Sequence, residues 1–347
     1  MHIQQNVALA PYTTLQVGGP ARFFIEARNE DEIREALLFA RERSLEVFVL
    51  GGGSNLVVAD AGWQGVVLRI AVAGTTTSAK NGKQIFTAGA GEDWDALVAL
   101  SVEQNCAGIE CMSGIPGTVG GTPVQNVGAY GQEVKDTIIT VRVLDTITLE
   151  LRDMAAADCG FAYRTSILNS SEKGRYIVTQ VSFSLMPGGR PKIEYADLKR
   201  YFGERSIPTL KEVRDAVLSI RSSKGMLISS DDPDSRSAGS FFKNPIVAQA
   251  EYERIGALPV CREQRPPSFP APAGTVKISA AWLVERSGFQ KGFTDGRVGI
   301  SRKHSLAIVN RGEATSEDVL RLKNKVQDGV FNTFGVRLQP EPVFVGF

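Results

Sequence analysis

The chain reads as an α+β protein, and three observations lead there. Its 347 residues are too many for one small core and call for roughly two or three domains of about 100–200 residues each. Short apolar strand-like runs and capped amphipathic helices are mixed along it, with no steady βαβ alternation. Two glycine-rich segments interrupt them, and no internal repeat organises the whole.

The elements follow in order. "NEDEIREALLFARERS" (29–44) is an amphipathic helix, with Asn29 as its cap and Glu32 at the reciprocal position. "LEVFVL" (45–50) and "GVVLRI" (65–70) are short, apolar and valine-rich, which predicts strands. "DWDALVALSVEQN" (93–105) is a helix capped by Asp93. "TIITVRVLDT" (137–146) and "YIVTQVSFSLM" (176–186) are strand-like. "TLKEVRDAVLSIRSSK" (209–224) is a helix opened by a Thr209/Glu212 capping box. "SSDDPDSRSAG" (229–239) is polar and mobile-looking, and a domain boundary near 225 fits the change. "REQRPPSFPAPAG" (262–274) reads as loop. "SAAWLVERSG" (279–288) is a short helix closed by glycine. The long helix 315–335 carries the stripe Val319, Leu322, Val326, Val330 and Phe334, and Gly335 stops it.

Composition excludes several classes. Net charge is +1 with acids and bases interspersed, so no basic face for nucleic acid is expected. The N-terminus has no signal-peptide pattern, and no run of about 18 apolar residues exists, so no membrane span is expected. Four cysteines without a C-x-x-C pair fit free thiols in a reducing, cytoplasmic compartment. With two histidines, one of them His2, no metal site is expected.

The glycine segments carry the functional signal. In "VLGGGSNLVVAD" (49–60) a strand runs into Gly51, Gly52, Gly53, Ser54 and Asn55. Consecutive glycines free the backbone and let amides approach a phosphate, although a tight turn alone would also explain them. "SGIPGTVGGTPVQNVGAYGQE" (113–133) places glycines at 114, 117, 120, 121, 128 and 131, denser than one turn requires. Backbone without side-chain bulk suits a pyrophosphate and a flat ring. Neither segment is a Rossmann fingerprint or a Walker A loop, which points to a pyrophosphate-bearing cofactor on another fold.

Eight segments in order then make a resemblance: "TTLQVGGPA" (13–21), "VLGGGSN" (49–55), the 113–133 run, "YRTS" (163–166), "RSSK" (221–224), "AGSFFKNP" (238–245), "KISAAWLVERSG" (277–288) and "LQPEPVFVG" (338–346). With these the sequence resembles the UDP-N-acetylenolpyruvoylglucosamine reductase family, in its type I class with a tyrosine loop. The resemblance implies a vanillyl-alcohol-oxidase/PCMH-type FAD-binding domain of two subdomains, 1–70 and 71–225, plus a C-terminal α+β substrate-binding domain, 226–335. Residues 336–347 would return to the first subdomain. It also implies FAD as cofactor, NADPH as co-substrate, a UDP-sugar substrate in peptidoglycan synthesis, and a monomer. Another flavoenzyme of the same fold, acting on an alcohol or sugar, is the alternative. It would not need "GSFFKNP" or lysines suited to a diphosphate.

Residue roles follow from the resemblance. Arg164 would take the substrate carboxylate, as a guanidinium fork suits bidentate contact. Glu341 would be a protonated group or part of a proton network. Ser240 would be the proton donor. It lacks the G-x-S-x-G elbow of an acyl-transfer nucleophile, and His304 is the only internal histidine. Its proton would be replaced from Glu341, from bulk water or from Lys243 through a water. The flavin would be held by Gly51, Gly52, Gly53, Ser54, Asn55, Ser113, Gly114, Ile115, Gly117, Thr118, Gly120, Gly121, Gln125, Asn126, Gly128, Tyr163, Ile177 and Arg221. The substrate or nicotinamide nucleotide would be held by Tyr130, Tyr195, Lys224, Asn244, Lys277 and His304. "YRTSILN" departs from the family's more usual charged continuation.

Overall fold

The computed structural model describes residues 1–203 and 207–347. It divides into two compact units. The first comprises 1–7, 21–53 and 63–223; the second comprises 8–20, 54–62 and 224–347. Residues 336–347 thus group with 224–335, and one passage between units falls between Ser223 and Lys224.

Among the described residues the first unit holds two large sheets and a two-stranded pair, Gly128–Ala129 with Gln132–Glu133. A four-stranded sheet runs in the order Ile3–Ala8, Pro20–Ala27, Trp63–Ile70, Val47–Leu50. Trp63–Ile70 pairs parallel with both of its neighbours. The sequence offered no steady βαβ rhythm, yet the chain from Pro20–Ala27 through the helix Glu30–Glu42 to Val47–Leu50 returns in parallel around a central strand. The larger sheet is antiparallel, in the order Leu151–Ala155, Ile138–Asp145, Tyr176–Pro187, Lys83–Gly89, Thr75–Lys80. Its buried face contributes Phe86, Val141, Val143, Val181 and Phe183 to a core that also takes Ile33, Ala36 and Leu37 from the first helix.

The second unit packs the helices Ala280–Arg286 and Ser316–Phe334 with a sheet centred on Val298–Ile300. All five stripe residues of the long helix are fully buried. Each such side chain contributes about 1.5–3 kcal/mol by leaving water. Gly335 takes the left-handed conformation, φ +75°, and ends the helix as expected. A parallel pair joins Leu56–Val58 to Val343–Val345. Among the described residues no helix is long and apolar enough to cross a membrane.

Helix ends match the sequence reading with one change. Thr209 and Glu212 form the reciprocal box: Thr209 N donates to the Glu212 carboxylate (2.7 Å), and Glu212 N to the Thr209 hydroxyl (3.2 Å). Asn29 caps its helix by accepting from Glu32 N. Glu32 instead reaches one residue further back, to Arg28 N. Two loop readings are corrected. The stretch 229–239 buries Asp234, Ser235, Ser237 and Ala238, with Asp234 accepting from the Ser301 hydroxyl and Arg302 N and the Ser235 hydroxyl donating to Ser229 O. Within 262–274, Ser268–Phe269 pairs with Thr275–Ile278.

Candidate functional site

In the first unit the two glycine segments meet. A Cβ on Gly52 would lie 2.5 Å from Gly117 Cα, and one on Gly51 would lie 3.1 Å from the Thr118 hydroxyl. Backbone therefore lies directly on backbone, which only glycine permits. The second segment is pinned from below. Gly114 N donates to Asp95 (2.6 Å), the Ser113 hydroxyl to Glu110 O (2.6 Å), and Gly120 N to Ala90 O (2.9 Å). At Gly121 a Cβ would meet open space. Ile115 packs partly buried against the core. Ile177 lies within that core, paired with Leu144.

Asp95 anchors this floor. Burial pulls its carboxyl up, but hydrogen bonds from Arg214 (2.6 and 2.7 Å) and Gly114 N, with the charges of Arg214 and Arg221, outweigh it and hold the carboxyl below its ordinary value. Arg221 is buried and donates to Gly114 O (3.1 Å), and burial lowers its pKa. Burial also pushes the Tyr130 phenol up to about 12. The Tyr130 ring meets Tyr195 edge-on, with centroids 5.4 Å apart.

Arg164 stands on a tight turn at φ +56°, a left-handed conformation unusual for a side-chain-bearing residue. Its guanidinium donates to Gly128 O (3.1 Å) and lies over the Tyr163 ring. Asn126 is buried beneath. Its amide donates to Glu133 (2.9 Å) and Ala162 O (3.0 Å), and accepts from Lys135 N (3.2 Å). The Asn126 side chain is thus engaged within the chain. Asn169 closes the turn: its carbonyl accepts from Ser166 N and the Thr165 hydroxyl, and its amide donates to Arg164 O. The uncharged continuation "SILN" supplies this lock. Burial raises Glu133, but hydrogen bonds from Lys135 and Asn126 and the charges of Lys135 and Arg164 bring it below the usual carboxylate range.

In the second unit, the Ser240 segment is stitched to Glu341. Phe241 O accepts from Glu341 N (2.9 Å), and Lys243 N donates to Gln339 O (2.9 Å). Phe241 and Phe242 are buried side by side. Asn55 joins the same seam, donating from its amide to Glu341 O (3.2 Å) and accepting from Val343 N (2.9 Å). Asn244 accepts from Ala280 N (2.9 Å) at the start of Ala280–Arg286. Lys277 lies on the strand beside Ile246, and Lys224 opens the unit's last segment. His304 Nδ1 accepts from Leu306 N (3.2 Å), so the neutral ring carries its proton on Nε2. The turn 301–304 is held by buried Asp234, which accepts from the Ser301 hydroxyl and Arg302 N.

Motif reading missed the supports: Asp95, Glu110, Asn169 and Asp234 carry no signature of their own. Asp95 pairs with Arg214 119 residues on, Glu110 with Lys192 82 residues on, and Asp234 with Ser301 67 residues on, while Asn169 works locally on Arg164, Thr165 and Ser166.

A family model described as an FAD binding domain matches residues 21–147, and one described as UDP-N-acetylenolpyruvoylglucosamine reductase, C-terminal domain, matches 231–345. A relative from Saccharopolyspora erythraea bearing that reductase name is 49% identical over 97% of this chain and 94% of its own. The chain belongs to the UDP-N-acetylenolpyruvoylglucosamine reductase family. A reductase from Thermobifida fusca is 46% identical over 99% of this chain and 98% of its own. The crystal structure of the Thermus caldophilus reductase superposes with a TM-score of 0.68 at 27% identity, covering 99% of both chains. The α+β, FAD-binding architecture expected of a reductase in this family is thereby shown. The glycine floor fits FAD, since it lies inside the FAD-binding match and its apposed backbone leaves no room for side chains.

Proposed function

We propose that this chain performs the family's reduction of an enolpyruvyl group on a UDP-sugar through Arg164, Ser240 and Glu341, with NADPH as electron donor in the cytoplasm. The glycine segments 49–60 and 113–133 would hold FAD, which would supply hydride chemistry between NADPH and the enolpyruvyl carbon remote from the carboxylate. Charge then builds on the neighbouring carbon and its carboxylate. Arg164 meets that carboxylate with a preorganised fork, which stabilises the developing charge. The Ser240 hydroxyl gives its proton to the adjacent carbon, which is basic enough for a neutral donor. Glu341 supports proton resupply, and the buried Phe241 and Phe242 rings keep water from the serine segment.

The seam between Ser240 and Glu341 carries this reading. Phe241 follows Ser240 directly and takes its backbone hydrogen bond from Glu341 itself. This backbone link between segments about 100 residues apart in sequence supports pairing Ser240 with Glu341.

The test separates the two half-reactions. Purified protein is expected to be yellow, to bleach with NADPH without oxygen, and to recover colour with the enolpyruvyl sugar nucleotide. Ser240→Ala is expected to keep the bleaching and to slow recovery by about 10²-fold or more, the usual size of a general-acid contribution. Recovery at full rate would remove the proton-donor role.

A further inference from the structure

We propose that Thr14 is a positioning residue for Ser240; the proposal rests on the reading of Ser240 as proton donor. Ser240 sits on a short loop tethered on both sides. On the far side, Phe241 N donates to Leu306 O (2.8 Å), and Phe241 O accepts from Glu341 N. On the near side, Ser237 bridges Val309, and Arg236 O accepts from Asn310 N (2.9 Å). The carbonyl of Ser237 is taken by the Thr14 hydroxyl at 2.6 Å, across 223 residues of chain.

Only Ala238 and Gly239 separate that carbonyl from Ser240. Gly239 turns at φ +71°, and its N–H folds back onto the Ser237 hydroxyl (3.3 Å). The orientation of the Ser237 peptide therefore sets where the turn releases Ser240. Thr14 holds that peptide with the shortest side-chain bond in the segment.

Thr14 is itself held firmly. The buried Asn310 amide donates to Leu15 O (3.1 Å) and Gln16 O (3.2 Å), while its carbonyl accepts from Gly312 N and Ala314 N. Gln16 adopts φ +55°, so this turn is over-determined rather than loose. The Thr14 oxygen also lies 3.3 Å from Ser54 O. A hydroxyl has one proton, and the 2.6 Å partner takes it. The motif "TTLQVGG" thereby gains a task that its sequence does not announce.

Thr14→Val swaps the hydroxyl for a methyl of the same shape and leaves the Ser237 carbonyl facing it. In flavin-loaded protein, bleaching by NADPH is expected at the wild-type rate. Recovery with the enolpyruvyl sugar nucleotide is expected to slow on the order of 10²-fold, the loss typical of a displaced reacting group, with a larger solvent deuterium effect. Thr14→Ser keeps the donor and is expected to restore the rate. The double variant with Ser240→Ala should be no slower than Ser240→Ala alone. If Thr14→Val binds no flavin, Thr14→Ala takes its place in the same assay. Equal slowing of both half-reactions, no slowing at all, or failure of Thr14→Ser to rescue would each overturn the proposal. Ser240→Ala slow with Thr14→Val at full rate would sink this proposal alone. Ser240→Ala at full rate would sink the proton-donor reading beneath it.

Discussion

Arg164 shows how one residue depends on neighbours that no motif names. Its positive φ costs roughly 1–2 kcal/mol, which Asn169 and Asn126 offset by locking the turn on both sides. Arg164→Lys keeps the charge but loses the fork. It should lower kcat/KM by about 10–150-fold, the equivalent of one charged hydrogen bond at 1.5–3 kcal/mol, while Tm stays near wild type. Gly52 shows the opposite dependence. Gly52→Ala drives a methyl against Gly117 Cα, where backbone cannot yield. Flavin content should fall, and stability by about 1–3 kcal/mol, read together from absorbance and thermal unfolding. At this scale the glycine runs were legible from residue type alone, whereas Arg164 of "YRTS" stood out only through the family resemblance. Asn126 was legible only as a member of the loop; its work on Ala162, 36 residues on, is a product of folding.

Elements were legible where local chemistry determines them. The Thr209/Glu212 box and the Gly335 stop are written in a few adjacent residues. The strand Thr75–Lys80 was not, since "TTTSAK" is mostly exposed and shows no apolar alternation; it forms because Lys83–Gly89 pairs with it. Nor was the second cap on the long helix. Asp60 accepts from Ser316 N (2.8 Å) and Glu317 N (3.2 Å), beside the local Thr315/Asp318 box. Asp60→Ala should cost about 1 kcal/mol, measurable by denaturant unfolding. The pair Asp95–Arg214 ties the helix Leu210–Ser223 to Trp94–Glu103 and makes that tie pH-dependent. Folded Asp95 lies below its ordinary pKa, so the unfolded chain takes the proton first as pH falls. The stabilisation is complete above about pH 4 and drains away as pH drops through the lower, folded value. The Tm gap between wild type and Asp95→Asn should hold above that pH and shrink below it.

Across the whole molecule, the order of motifs spoke for the family, but the grouping of segments did not show. Residues 8–20 and 54–62 belong with 224–347, and nothing in their composition says so. Leu15, Val17 and Val57 are simply apolar until Trp282, Phe334 and Val336 complete the core around them. Buried Glu110 is a similar case within the first unit. Its carboxylate gathers Gly108 N, Gln132 and Lys192 N, so that the segment after Tyr130 and the segment before Tyr195 share one anchor. Glu110→Leu leaves those donors unanswered and should destabilise the protein by about 1–3 kcal/mol for each donor that water does not reach.

The parallel pair between Leu56–Val58 and Val343–Val345 has a consequence in time. About 290 residues separate Val58 from its partner Val345, which a ribosome working at roughly 5–20 residues per second takes on the order of 15–60 s to produce. Throughout that interval the apolar run "NLVVA" waits at the birth of the chain without its cover. Nascent chains stalled before residue 343 should therefore recruit holdase chaperones at 55–59, and release them once the last strand clears the exit tunnel.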